Sequence, residues 1–264
     1  MKVLFWNLNN QSLVEEICSL VLEHDVDVLS LAEVSDDVVG DLEQRLSGLD
    51  KNYELVITPG CDRIKTFRSC EYEFELSHQG HHFSLLKLNV GDALTICGFV
   101  HLPSRRYHSE EQIMAVFRTL YHELSQEEEN SRTTRTILVG DFNNNPFDKP
   151  MVSFYGMACT NGIDCSKRTH VTSVGESKSL FYNPMWSLYS TMKDKPGGHK
   201  YSRLEDDVVS WHMLDQVIMR PSMVEYFDFD ELKIVDSTLL GTLVNRNGKP
   251  SLSDHLPLVC KFNL

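Results

Sequence analysis

The sequence predicts an α/β fold, in which short buried strands alternate with amphipathic helices. Apolar runs that stop abruptly on a polar residue recur along the chain, and stretches with apolar residues at helical spacing separate several of them. The 264 residues are 41% hydrophobic, which is enough to bury a large core. Because no break in composition divides the chain, we predict a single domain over residues 1–264.

The chain begins with a predicted strand, helix and second strand. The apolar runs at residues 2–6 and 26–31 are typical of buried strands, and they are followed by Asn7 and Glu33. This order implies parallel neighbours, whose tips carry both polar side chains on one edge of a sheet. In the alternative interpretation, Glu33 only opens the helix predicted over residues 36–47, where an acid suits the helix dipole.

Capping boxes predict where two of the helices begin. Ser12 with Glu15 precedes one helix, and Ser109 with Gln112 precedes another. In each case apolar residues then recur with a helical period, so we expect one face of each helix to pack on a sheet.

The middle of the chain changes to hairpins. Residues 53–57, 82–89 and 93–100 have the alternation and flanking turn residues of strands, while an irregular stretch extends to Leu76. The histidine-rich segment 78–82 looks like a metal cluster, but histidines crowded on a hairpin tip are more typical of a solvated loop.

A polar tip follows the predicted strand at residues 93–100. It carries His101, and Arg105 and Arg106 come shortly after it. A lone histidine at a strand end is usually structural, whereas two neighbouring guanidinium groups can grip a phosphate. The residues alone leave both interpretations open.

The apolar run at residues 137–139 predicts another buried strand. It stops on Gly140 and Asp141, and Asn143 follows in a loop. Open α/β sheets present their chemistry at such C-terminal tips. Because Asp and Asn also favour turns, a plain turn is an equal alternative for these residues taken alone.

Two more polar positions lie in the last part of the chain. Asp215 falls within the apolar run at residues 211–219, which reads as one strand, and a buried carboxylate is costly unless it has a specific partner. Asp254 and His255 form a polar tip in front of a terminal strand predicted over residues 256–262.

Charge and cysteine content limit the partners and the compartment. The net charge is −13, with no basic tail or helix, so any contact with nucleic acid or phosphate must be local or metal-mediated. The seven cysteines include no Cys-x-x-Cys pair and mostly lie among apolar neighbours, which favours reduced thiols in the cytoplasm. The N-terminal apolar run is too short for a signal peptide, and no run approaches the ~20 residues of a membrane span.

These polar tips follow one another in an order that is informative as a set. The motifs are Trp6-Asn7, Glu33, His101-Leu102, Gly140-Asp141-Phe142-Asn143, Leu214-Asp215-Gln216-Val217 and Ser253-Asp254-His255. Together they resemble the endonuclease/exonuclease/phosphatase superfamily, with its pancreatic-deoxyribonuclease-like fold, over nearly the whole chain.

The resemblance implies a four-layer α/β/β/α sandwich, made of two packed mixed β-sheets with helices outside. It also implies a divalent-metal site where the strand tips of the two halves converge. The chain departs from several subgroups: it has Ala32 where a Gln is common, and Asn9 and Asn10 where abasic-site repair members have Asp and Gly. We therefore assign no subgroup.

By the same resemblance, Glu33 would bind Mg²⁺ or Mn²⁺, with Asp254 and Asn7 assisting directly or through water. Hard oxygen ligands suit these ions rather than zinc. Arg105 or Arg106 would make a bidentate contact with phosphate.

The resemblance also implies the catalytic roles. Asp141 would take the proton of the attacking water, which Asn143 would hold, and His101 would neutralise or protonate the leaving side. His255, oriented by Asp215, would stabilise the phosphorane. An opposing assignment makes the Asp215 and His255 pair the base and His101 the acid, and coupled groups of this kind share their protons.

We therefore expect a metal-dependent phosphodiester hydrolase that acts on DNA or RNA through an activated water. One alternative is a phosphatase or phosphodiesterase acting on a small-molecule, nucleotide or lipid phosphate, which the acidic composition favours. A third is a non-catalytic phosphate-binding module, for which the acidic tip residues would be unimportant.

Overall fold

In a computed structural model of the chain, two large β-sheets pack face to face. The structure describes residues 1–192, 195–201 and 208–264, with only the backbone described at 165–166. The strands are β1 (Lys2–Asn7), β2 (Val28–Ala32), β3 (Tyr53–Val56), β4 (Ile64–Ser69), β5 (Phe74–Gly80), β6 (Phe83–Val90), β7 (Ala93–His101), β8 (Thr136–Asp141), β9 (Cys159–Thr160), β10 (His170–Ser173), β11 (Glu176–Ser179), β12 (Phe181–Tyr182), β13 (His199–Lys200), β14 (Trp211–His212), β15 (Asp215–Met219), β16 (Phe227–Ile234), β17 (Ser237–Thr238), β18 (Gly241–Thr242) and β19 (Leu258–Phe262). The helices are α1 (Val14–Glu23), α2 (Asp36–Leu46), α3 (Glu110–Ser131), α4 (Lys149–Val152), α5 (Ile163–Ser166) and α6 (Met185–Thr191), with a 3-10 helix at Pro221–Tyr226.

Both large sheets are mixed. The first has the strand order β16-β19-β1-β2-β4-β3, with β1 and β2 parallel. The second has the order β5-β6-β7-β8-β15-β12-β9, with β7 and β8 parallel. The parallel pairs follow from the helical crossovers α1 and α3, as the strand–helix–strand pattern predicts.

The central strands of the two large sheets are buried on both faces, because their side chains alternate between two different cores. In β1, Val3 and Phe5 lie in the core between the sheets, whereas Leu4 and Trp6 pack with α1 and α2. A third core joins the second sheet to α3, which contributes Phe117 among others. Helix, sheet, sheet and helix thus form four layers, which confirms the predicted sandwich.

Three local predictions were wrong. Residues 64–69 form strand β4, although Lys65 and Arg68 interrupt its apolar pattern. Helix α1 begins without the Ser12 capping box, since its N-cap is Leu13 and no side chain caps it. The run at 211–219 is two strands, β14 and β15, which pair with different partners, and the Met213 N–H between them donates to Asn145 Oδ1.

The second predicted capping box is confirmed. The Ser109 and Gln112 capping box is present at the start of α3. Among the described residues, none of the helices combines the length and the apolar character that crossing a membrane requires.

Candidate active site

The predicted site residues meet because they continue the face of each strand that looks into the space between the sheets. In β1, Asn7 follows Phe5 at the two-residue period of a strand, and in β8 Asp141 follows Val139. Phe5 and Val139 both lie in the inter-sheet core. Each strand thus carries one apolar row that ends on a polar group at the edge of that core.

Strand register places three of these groups side by side. His101 is the parallel partner of Asp141 at the ends of β7 and β8. Asp215, at the start of β15, is the antiparallel partner of the same Asp141. Gly140 lets the strands approach this closely, since a Cβ at this position would lie 2.0 Å from the carbonyl oxygen of Val100.

Glu33 departs from the strand alternation. Its φ of 49° is in the left-handed region, which turns the chain at the end of β2. Its Oε1 lies 3.3 Å from His101 Nε2 and 3.2 Å from Asn7 Nδ2. The hydrogen bond from His101, helped by Asn7 and opposed by burial, lowers the pKa of Glu33 to about 2, so this carboxylate is ionised at neutral pH.

Asp141 is held by three nitrogen donors. The Asn143 backbone N–H donates to Oδ1 at 2.7 Å, and the Asn143 and Asn7 side-chain amides donate to Oδ2, each at 3.1 Å. Asn143 has a φ of 50° and also donates to the Leu102 carbonyl at 2.9 Å. The loop therefore folds back on its own strand, and both side chains face the same space.

Asp215 and His255 form a buried ionic pair, with 2.7 Å between Asp215 Oδ2 and His255 Nδ1. Burial alone would lower the pKa of His255, but the charges of Asp215, Asp141 and Asp254 outweigh it and raise the pKa to about 10. Burial raises the pKa of Asp215 to about 6, against the attraction of His255. The attraction between the two groups thus favours an imidazolium beside a carboxylate.

Two hydrogen bonds tie the His255 segment to strand β1. The Trp6 indole donates to the His255 carbonyl at 2.9 Å, and the Ser253 hydroxyl donates to the Asn7 carbonyl at 2.7 Å. Both contacts are buried and join residues almost 250 positions apart in the sequence. They fix the two ends of the site against each other.

The donor set around Glu33 fits a hard cation. Glu33 offers carboxylate oxygens, the neighbouring Asn7 offers an amide oxygen, and the Glu33 side chain is 35% exposed and so reachable from solvent. Asp254 follows Ser253, whose hydroxyl donates to the Asn7 carbonyl. Two other groups of acidic and histidine side chains, both centred on His255, are also compact: Asp141/Asp215/His255 and His199/Asp254/His255. Because an imidazolium has no free lone pair, neither of these suits a metal while His255 is protonated.

The two arginines lie at the rim rather than at the centre. Arg105 binds Asn144 Oδ1 at 3.3 Å and pairs with Asp148 at 3.1 Å. The Arg106 guanidinium lies 5.3 Å from the Tyr107 ring centre. The structure therefore brings together the acids, amides and histidines, and keeps the arginines engaged at their edge.

Sequence reasoning missed two residues beside the site. The His199 ring lies 4.7 Å from those of His255 and Tyr201. Burial raises the pKa of Tyr201, and the nearby charges of Asp141 and Asp254 add to this shift. The sequence Gly197-Gly198 just before His199 predicts only a flexible loop. No pattern in the sequence indicates that this loop lies next to His255.

Comparison with known proteins adds to this geometry. A model of the protein family described as "Endonuclease/Exonuclease/phosphatase family" matches residues 4–187 of the sequence. A sequence comparison with curated proteins finds no significant match.

Solved structures share the fold. Truncated TDP2 from Caenorhabditis elegans superposes with a TM-score of 0.62 and 16% identity, covering 99% of this chain and 96% of that one. The human nocturnin catalytic domain with bound sulfate superposes with a TM-score of 0.58 and 17% identity, covering 99% of this chain and 93% of that one. TDP2 from D. rerio, complexed with a single-strand DNA product, superposes with a TM-score of 0.58 and 15% identity, covering 100% of this chain and 99% of that one.

Proposed function

We propose that this chain, which belongs to the endonuclease/exonuclease/phosphatase family, hydrolyses phosphodiester bonds in DNA or RNA with the help of a divalent cation. The observation that carries the proposal is the convergence of Glu33, His101, Asp141 and the Asp215–His255 pair on one edge of the two sheets. Hydrolysis of a phosphodiester needs an activated water, neutralisation of an anionic transition state and help for the leaving oxygen. The site has a group for each need.

Glu33, Asp254 and Asn7 would hold Mg²⁺ or Mn²⁺. When bound, the cation would supply positive charge against the phosphate oxygens. The ionised state of Glu33 supports this assignment, because a carboxylate that is already deprotonated binds a cation without first losing a proton.

Asp141 and Asn143 act on the attacking water. The Asn143 amide holds the nucleophile, and Asp141 accepts its proton. The charges of Asp215, Asp141 and Asp254 favour the protonated form of His255, which supports Asp141 over the Asp215–His255 pair as the base. The His255 imidazolium instead neutralises the phosphate oxygens, while His101 serves the leaving side and Arg105 or Arg106 contacts a phosphate at the rim.

The substrate assignment draws on both relatives and charge. The D. rerio TDP2 structure holds a DNA product, and the fold is shared with the endonuclease domain of the TRAS1 retrotransposon. The net charge of −13 favours a second candidate, a phosphatase or phosphodiesterase acting on a small or lipid phosphate, since it disfavours binding to a duplex through counterion release.

A substrate panel with a matched pair of variants tests the proposal. We expect wild-type protein with Mg²⁺ or Mn²⁺ to cut single- or double-stranded DNA or RNA, and Asp141→Asn to lower kcat by about 10³-fold or more. Asp236→Asn, a half-exposed acid paired with Lys195, is the control and should keep full activity.

The panel also includes sugar, nucleotide and lipid phosphates. Intact nucleic acids alongside a hydrolysed small phosphate would transfer the proposal to the second candidate. No hydrolysis of any substrate would end both.

We place the protein in the cytoplasm. The six cysteines whose side chains the structure describes are all free thiols, and four of them are buried. Unpaired cysteines are the rule in a reducing compartment.

A further inference from the structure

We propose that His199 is a further phosphate-contacting residue of this site, donating a hydrogen bond to an oxygen of the phosphate that His255 also contacts. The inference rests on the proposed function in that the ligand is a phosphate. It adds a side chain that none of the motifs in the sequence contains.

The backbone places His199 against the catalytic pair. His199 forms an antiparallel bridge with His255, and the Gly198 carbonyl accepts a hydrogen bond from the Leu256 backbone at 2.9 Å. A Cβ at Gly198 would lie 3.5 Å from Asp215 Oδ2, so this segment covers the buried ionic pair directly. A Cβ at Gly197 would lie 2.2 Å from the His212 carbonyl oxygen, which means that only glycine fits there.

The His199 side chain faces the reacting groups. Its ring is tilted against the His255 ring, with the ring centres 4.7 Å apart. One of its nitrogens, a carboxylate oxygen of Asp254 and a ring nitrogen of His255 all lie within 4.8 Å of one another. A phosphate oxygen placed among these groups would be within reach of both imidazoles.

The polar atoms of His199 are otherwise unexplained. The side chain is buried, with 7% of the residue exposed, and neither ring nitrogen meets the geometric limits of a hydrogen bond to a described group, although the Asp254 backbone is close enough to interact with the ring. A buried polar atom without a partner is costly, and such atoms in folded proteins usually serve a ligand or an ordered solvent molecule. In either protonation state imidazole keeps at least one N–H donor, so the contact does not depend on titration.

A purely structural role makes a different prediction. If His199 only fills space between the rings of His255 and Tyr201, then His199→Phe preserves its function. If it donates to phosphate, then His199→Phe removes the donor and keeps the ring, while His199→Gln keeps a donor and removes the ring. His170→Phe, on the exposed strand β10, is the matched histidine control.

The experiment measures the affinity for inorganic phosphate in the presence of Mg²⁺ by calorimetry, the affinity for Mn²⁺ alone, and kcat on the best substrate of the panel. For His199→Phe we expect phosphate affinity and kcat each to fall by about tenfold to a hundredfold, as for a lost hydrogen bond to a charged group. We expect Mn²⁺ affinity and Tm to stay near wild type, His199→Gln to recover part of the loss, and His170→Phe to match wild type.

Two outcomes overturn the inference: a His199→Phe protein that binds phosphate and turns over like wild type, or one that loses Mn²⁺ affinity instead of phosphate affinity. The phosphate titration does not require hydrolysis. An inactive wild type whose phosphate affinity still depends on His199 would therefore refute the proposed function and support the inference. An active wild type, together with a His199→Phe variant whose phosphate affinity and kcat are unchanged, would support the proposed function and refute the inference.

Discussion

Strand β15 has a buried ionic pair at each end, and the two pairs differ in how completely their polar atoms are satisfied. Asp215 begins the strand and binds His255 through Oδ2, while its Oδ1 is buried without a partner among the described residues. Arg220 directly follows the strand and binds Glu128 on helix α3. The strand between them is fully buried.

The Arg220 end uses nearly all of its hydrogen-bonding capacity. The guanidinium binds Glu128 twice, at 2.8 and 2.9 Å, and donates to the carbonyls of Ser179 and Leu180 at 2.8 and 3.2 Å. It also lies 4.0 Å from the ring centre of Phe181. This end therefore joins α3 to two strands with its charges compensated.

The difference indicates what each pair is for. Taking two charges out of water is costly, and the attraction between them offsets this only when the remaining lone pairs and protons are also bonded. The Arg220 pair meets that condition and serves the fold. The Asp215 pair does not, and its unbonded oxygen fits the proposed role of this pair at a ligand site.

The largest expected effect tests the active-site end. We expect Asp215→Asn to lower kcat by about 10²- to 10⁴-fold, because the carboxylate orients His255 and holds its charge. The free energy of unfolding should fall by about 1–2 kcal/mol, because His255 loses its buried partner but can release its proton near neutral pH, where the ordinary pKa of histidine lies. Steady-state kinetics and urea unfolding on the same preparation measure both, and unchanged kcat would contradict the assignment.

The opposite pattern is expected at the other end. Arg220→Met should lower the free energy of unfolding by about 3 kcal/mol, because it leaves the mostly buried Glu128 without its cation and with only the hydrogen bond from Thr136. The kcat of the folded protein, measured below the unfolding transition, should stay near wild type. The double variant Arg220→Met with Glu128→Leu is the control and should regain most of the stability. A large loss of kcat in folded Arg220→Met protein would end the distinction between the two pairs.

A smaller effect concerns the stability of the protein in mild acid. There His82, next to His101, can gain a proton, whereas the Arg220 guanidinium at the other end of β15 stays charged. Burial, with the nearby charges of Arg63 and His81, lowers the pKa of His82 from 6.5 to about 4. Between pH 6.5 and 4, His82 is therefore protonated in the unfolded chain but neutral in the folded chain.

The contribution of His82 to stability is thus complete above pH 6.5 and is lost as the pH falls towards 4. Because His82 is only partly buried, we expect less than about 2 kcal/mol. Urea unfolding of wild type and His82→Gln at several pH values should show a shallower pH slope for the variant. Parallel slopes would assign the acid sensitivity to other groups.

Much of the site was predictable because strand chemistry is local. An apolar run that stops on a polar residue identifies a strand tip, and the order of Asn7, Glu33, His101 and Asp141 resembles one superfamily. The buried partner expected for Asp215 is His255, as the cost of an isolated buried carboxylate requires. The four-layer arrangement followed from the resemblance, since alternation alone does not say that two sheets pack together.

The remaining features depend on contacts between distant segments. Strand β4 was missed because its pairing with β2 and β3 overrides a weak apolar pattern. The Ser12 capping box is absent because helix α1 begins one residue later, with Leu13 as its N-cap, and the Glu15 side chain pairs with Arg45 on helix α2. The position of His199 depends on its bridge to His255, and a single sequence does not reveal such a pairing.

The position of β19 next to β1 has a consequence for biosynthesis. Phe5 pairs with Leu258, so the joining of β19 to β1 helps to anchor the segment that carries Asp254 and His255. During translation β1 leaves the ribosome long before β19 does, and pairings of such long sequence separation form slowly. In a nascent chain, Asn7, Glu33, His101 and Asp141 would therefore be present before His255, and the full set of side chains would meet only after β19 has been synthesised.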